Sequence, residues 1–262
     1  MKRKQRKIMK KIKDKECRFP FRHWFEDGEI DSLMENHLAE FSKKITTIKI
    51  PPVPVDLFVE KYLGVEFDNY AQLITETDNI LGATYFGDSG IAIKIDKSLT
   101  EKADSKENIG RYNFTVSHEA FHALYHKELF AQDKNQLEFS GLERKKKIEC
   151  LGRDMGVFSE KTKAKTPWWE VHANMGAAAL LMPKTMFLEH FVTERNAYGV
   201  TDNYKLATMQ HVLYPVICYL SNTFNASMEA VRIRLNQLGC LADIKQGELF
   251  TGAQSIGEIL RG

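Results

Sequence analysis

The chain has 262 residues, 43% of them hydrophobic, 27% charged and 11% aromatic, with a net charge of +2. This is a globular composition with length enough for a sizeable core, and it excludes a disordered or fibrous chain. No apolar run reaches the roughly 20 residues of a membrane-spanning helix; the best candidate, Met209 to Leu220, contains Pro215.

The charge is unevenly spread. Residues 1–18 carry ten Lys/Arg against Asp14 and Glu16, a net of +8, so the rest of the chain sums to −6. A basic arm suits nucleic acid or an anionic surface and leaves direct nucleic-acid binding open, while the simpler reading is a solvated tail. It is not a secretory signal, because no apolar stretch of about 7–15 residues follows the charges. Cys17, Cys150, Cys218 and Cys240 form no C-x-x-C pair, which argues against a cysteine metal cluster and for reduced thiols in the cytoplasm.

Residues 1–47 read as a charged N-terminal extension. Within it, Leu33, Met34, His37, Leu38 and Phe41 share one face of a helix from about Asp31 to Ile45. "IPPVPVD" breaks regular structure and opens the next helix, "VDLFVEKYLG", which stops at Gly64. Residues 78–96 read as a β-hairpin. Ile91, Ile93 and Ile95 alternate with Ala92 and Lys94, and "GDSG" at 87–90 supplies the turn. The strand Gly90 to Asp96 is the candidate edge for docking an extended peptide, the alternative being that the sheet itself covers both its edges.

From Arg111 a helical pattern carries "FTVSHEAFHALYH", in which His118, Glu119 and His122 form H-E-x-x-H. Residues four apart on a helix share a face about 6 Å apart along the axis, so two imidazoles can meet one ion. Zinc suits such a set, since it takes nitrogen and oxygen ligands in a tetrahedron with one place left for water. Glu119 is then angled toward that water and is the candidate general base. His126 lies eight residues from His118, about 12 Å along a straight helix, too far to share the ion. It is left as a group beside the ligands, a substrate-side residue or a helix-terminal cation.

After a lysine-rich stretch, 127–166, a second helix starts near Trp168 and stops at Met182, before Pro183. It offers Glu170 and His172 as third ligand. The two point about 160° apart at 100° per residue, so at most one faces the metal. Glu170 shares its face with Ala173, Asn174, Ala177 and Leu181, small or apolar neighbours that permit close helix approach. Asn174 is placed to hold a ligand by a hydrogen bond, or to bond a nearby backbone group. Farther on, Ser227 is a good N-cap for "MEAVRIRLNQLG".

Together, "FTVSHEAFHALYH" and "EVHANMGAAALLMP" resemble the ImmA/IrrE family of zinc metallopeptidases. "PPVPVDLFVEKYLGV", "GATYFGDSGIAIKID" and "TFNASMEAVRIRLNQLGCL" extend the likeness over about residues 50–240. The resemblance implies Zn2+ held by His118, His122 and Glu170, with Glu119 as catalytic base. It implies an α+β fold: a zincin-like core with the active-site helix and a small antiparallel sheet, then a C-terminal helical, helix-turn-helix-like region. The boundaries are 1–47, 48–200 and 201–262. The implied reaction is hydrolysis of a peptide bond in a protein substrate, a DNA-binding transcriptional repressor, with His126, His172 or Tyr125 as candidates to stabilise the oxyanion. The long spacing from His122 to Glu170 makes 127–166 an insertion relative to the family, and no N-terminal DNA-binding domain has a counterpart. The competing reading is a regulatory repressor-binding module with a structural zinc site, which would have no need of Glu119.

Overall fold

The computed structural model describes residues 10–15, 19–45, 50–75, 79–87, 90–130, 147–151, 166–201, 206 and 208–241. Residues 1–9 and 16–18 of the basic arm, most of the 127–166 stretch, and Asp88 and Ser89 of the expected turn lie outside them. A hairpin of β1 (Lys10–Ile12) and β2 (Arg22–Trp24) comes first, then α1 (Glu29–Lys44). A short helical turn, α2 (Val55–Leu57), runs into a π-helical turn (Phe58–Leu63) closed by Gly64 at φ +65°. That left-handed backbone is open to glycine at no steric cost, and the helix stops where the sequence places its end. The strands β3 (Glu66–Ala71), β4 (Ile80–Gly87) and β5 (Gly90–Asp96) follow. Next come α3 (Lys97–Thr100), α4 (Lys106–Tyr125), α5 (Lys127–Phe130), β6 (Lys147–Leu151), α6 (Trp168–Leu181), α7 (Lys184–Ala197), α8 (Gln210–Phe224) and α9 (Met228–Gln237). Among the described residues no helix is long and apolar enough to cross a membrane.

The fold is mixed α and β, as expected, but the main sheet is not wholly antiparallel. Its order is β3-β5-β4-β6. β4 and β5 form the predicted hairpin, with Thr84 opposite Ile93. β3 runs parallel to β5, because the hairpin uses only one edge of β5 and leaves the other for the strand arriving from Gly64. β6, from the stretch read as an insertion, extends the sheet antiparallel to β4. β5 is therefore paired on both sides, and the expectation that it offers a docking edge fails. The alternation that identified it holds for packing: Ile93 and Ile95 are fully buried.

One hydrophobic cluster joins the helices to the inner face of the sheet. It contains Ile93 and Ile95, Val116 and Phe121 of α4, Ala173 and Leu180 of α6, and Val216 and Val231 of α8 and α9. Ile30, Met34, Leu38 and Phe41 of α1 belong to it too, so a helix inside the charged N-terminal extension fills the core of the site's own helices. Arg234 of α9 ties these parts together, donating to the Met182 carbonyl at the end of α6 and to Asp31 of α1. The arm is not all solvated tail. Lys11 pairs with Glu128 at 2.6 Å, and Phe19 packs on Phe130 and Trp169.

Two glycines set how closely α4 is approached. A Cβ on Gly82 of β4 would lie 2.7 Å from the Thr115 methyl and 3.0 Å from Glu119 Cγ. A Cβ on Gly176 of α6 would lie 1.9 Å from the Phe121 ring. Without side chains at these points, sheet and helix both close onto the polar stretch of α4.

Candidate metal centre

α4 carries His118, Glu119 and His122 at the middle of the molecule, each at most 1% exposed. Helical spacing brings the two imidazoles edge to face, and their Nε2 atoms are 2.9 Å apart. α6 lies across α4 and brings in Glu170, whose Oε2 is 3.0 Å from His118 Nε2 and 3.6 Å from His122 Nε2. Bonds of 2.0–2.1 Å to a tetrahedral ion place ligand atoms about 3.3 Å from one another, and these three separations straddle that value. Three lone-pair donors this close repel unless a proton or cation lies between them. The group can hold a metal ion, and its two nitrogens and one carboxylate oxygen are a donor set suited to zinc.

The two carboxylates of the site are both buried but pulled in opposite directions. Burial pushes Glu119 up to about 7, against the His118 charge and the Thr84 hydrogen bond that favour its ionised form. Thr84 Oγ1 of β4 donates to Glu119 Oε2 at 2.6 Å, and Glu119 Oε1 has no protein partner. Burial also works to raise Glu170, but His122 and His118 outweigh it and hold that carboxyl well below the usual carboxylate range. His118 is raised in turn, since the hydrogen bond and charge of Glu170 overcome its burial. His122 is lowered by burial.

Behind the ligand atoms, His118 Nδ1 faces Asn174 Oδ1 at 2.9 Å, as the helix spacing of Asn174 suggested. His122 Nδ1 faces His126 Nδ1 at 2.7 Å. His126 thus stands beside His122 and outside the group that could hold an ion. His172 turns away from Glu170, as its helical angle requires, and packs on Phe25, Trp168 and His126. Burial depresses its basicity to about 4. Tyr125 is engaged elsewhere, its hydroxyl 2.8 Å from His37 Nε2. Three contributions went unread in the sequence: Thr84, Gly82 and His23. His23 is fully buried with its ring centroid 6.4 Å from that of His126. Their partners lie 33 to 103 positions away in sequence, and no local pattern marks such a contact.

The profile of the IrrE N-terminal-like domain, Peptidase_M78, matches residues 104–236, from the start of α4 almost to the end of α9. The chain belongs to this family. Membership makes it a peptidase, a hydrolase of the metallopeptidase kind, and the matched span contains the whole His118, His122, Glu170 group. The M78 match also covers 127–166, so the stretch that reads as an insertion lies inside the family domain. Among proteins of curated function, none matches this chain significantly.

Proposed function

We propose that this protein is a cytoplasmic zinc-dependent endopeptidase that cuts a DNA-binding transcriptional repressor. The observation that carries the reading is the pairing of two differently tuned carboxylates in one buried site. Glu170 is kept ionised against two imidazoles, as a ligand must be, while Glu119, beside them but turned to the sheet, has a free oxygen and a pKa raised to about 7. A site with a purely structural ion calls for no such second carboxylate.

His118 Nε2, His122 Nε2 and Glu170 would hold the zinc, which supplies Lewis acidity and acidifies a bound water toward neutral pH. Glu119 then does the proton work. Its free Oε1 takes a proton as the water attacks the peptide carbonyl and delivers it to the leaving amine. Thr84 keeps Oε2 in place, so that a single carboxylate oxygen turns toward the reacting atoms. A pKa near operating pH suits a group that must both accept and return a proton. In this reading α4, the sheet and α6 form a zincin-like core, and α8 with α9 a helix-turn-helix-like region.

The test is co-expression with a repressor encoded beside the gene, followed by mass measurement of that repressor. A shortened product that vanishes with Glu119→Gln supports the proposal. An intact repressor in the presence of zinc-loaded parent protein counts against the substrate, and hydrolysis undiminished by Glu119→Gln counts against the mechanism.

A further inference from the structure

The two ligand histidines are supported from behind in different ways. His118 Nδ1 meets an amide oxygen, a group that can only accept. His122 Nδ1 meets another imidazole nitrogen 2.7 Å away, and one N–H must lie between the two. With the Nε2 lone pair of His122 turned to Glu170 and His118, the proton of that ring sits on Nδ1. His126 Nδ1 is then bare, and His126 carries its own proton on Nε2. We infer that His126 is a positioning residue of the metal site, accepting the His122 Nδ1–H and so fixing the tautomer and ring plane of that ligand. This rests on the zinc reading of His118, His122 and Glu170.

The local fold is arranged for this role. His126 is the C-cap of α4, at φ −107° and ψ 0°, and its backbone N–H still donates to the His122 carbonyl. Its ring is fully buried within a wall of Phe121, Trp168, His172 and His23, whose centroids lie 5.6 to 6.4 Å away. Its Nε2 has no protein partner. A cap that served packing alone would be better filled by an apolar side chain, because a buried unpaired nitrogen is costly. What the imidazole gains here is the one bond from Nδ1 to His122. Ligand histidines commonly donate their other N–H to a carboxylate, a backbone carbonyl or water. An imidazole in that place is neutral, so with Asn174 behind the other histidine, Glu170 remains the sole anionic group coordinating the ion. The wall also gives the N-terminal hairpin a share in the site, since His23 belongs to β2.

The experiment measures zinc affinity of the full-length chain by competition with a chromophoric chelator, for the parent, His126→Asn and His126→Leu. Asn keeps an acceptor oxygen near the position of Nδ1, and Leu keeps the volume without an acceptor. Loss of such a partner weakens metal binding about 10–100-fold, which is the expectation for Leu, while Asn stays within about threefold of the parent. Metal-free melting temperatures show whether each variant folds. Independently of any variant, ring 15N shifts of the zinc-loaded parent should show His126 protonated at Nε2 and bare at Nδ1. Parent-like affinity in His126→Leu, equal losses in both variants, or a protonated His126 Nδ1 would each overturn the role. A parent that takes up no zinc would instead remove the reading on which the role depends.

Discussion

Glu119 and Glu170 reach the same buried site from opposite walls, one backed by the sheet and one by a helix. The sheet side offers Glu119 one hydroxyl, Thr84, and otherwise dry surroundings, and its carboxyl is pushed up to about 7. The α6 side sets Glu170 against two imidazoles, and its carboxyl is held down. The amino-acid type is the same, and so is the burial. What differs is how fully cationic partners compensate the loss of water: Glu170 is charge-paired with both imidazoles and hydrogen-bonded to His118, while Glu119 feels His118 through space without a hydrogen bond to it. On the proposed reading, one wall makes a proton carrier and the other a ligand.

The largest effect should come from removing the carrier alone. Glu119→Gln should lower hydrolysis by roughly 10²- to 10⁴-fold, the usual weight of a general base, with zinc content unchanged in elemental analysis. A parallel fall in zinc content would mean that the two walls do not divide the work. In the metal-free protein the same substitution should also reshape stability. The folded pKa of Glu119 lies above the ordinary value of 4.5, so the folded state binds more protons between pH 4.5 and 7 and loses stability as pH rises through that window. The loss is on the order of 3 kcal/mol. Urea titrations of metal-free parent and Glu119→Gln should diverge from pH 4.5 upward, with the variant more stable near neutrality. Parallel curves would show that Glu119 is not desolvated.

Two glycines give a matched pair of smaller tests. Gly82→Ala presses on Thr115 and Glu119, and Gly176→Ala presses on Phe121. Each should cost about 1–3 kcal/mol of stability through overpacking. The sheet-side change should reduce turnover with zinc retained, and the α6-side change should weaken zinc binding. The mildest is Thr84→Val, which removes one hydrogen bond, worth roughly 1 kcal/mol, from Glu119. Turnover should fall several-fold without change in zinc affinity, and a loss of zinc would contradict the partition.

The helix side of the site was legible because helix geometry is local. Spacing alone puts His118 and His122 on one face, and the small residues around Glu170 announce a close helix–helix contact. The same arithmetic turned His172 away from Glu170 and kept His126 out of the candidate ligand set. The sheet side was not legible. Thr84 and Gly82 sit in a run that reads only as a buried strand, and their meaning comes from which helix crosses them. Strand pairing is non-local as well. The hairpin of β4 and β5 announces itself through a short turn, but β3 and β6 join across longer connections, so the edge available to a peptide could not be read. In the charged N-terminal segment the apolar face of α1 was legible from helical spacing, and Met34, Leu38 and Phe41 are buried as that face requires; that they join α4 and α6 in one core is a non-local fact that spacing does not carry.

The central claim is that His118, His122 and Glu170 form a zinc site to which Glu119 does not contribute. Side-by-side zinc titration of the parent, Glu119→Gln, Glu170→Ala and His172→Ala tests it most directly. The account predicts one zinc per chain with similar affinity in the parent, Glu119→Gln and His172→Ala, and a loss of roughly 100-fold or more in Glu170→Ala, where a first ligand is missing. Undiminished zinc binding in Glu170→Ala, with a loss in Glu119→Gln or His172→Ala, would contradict it.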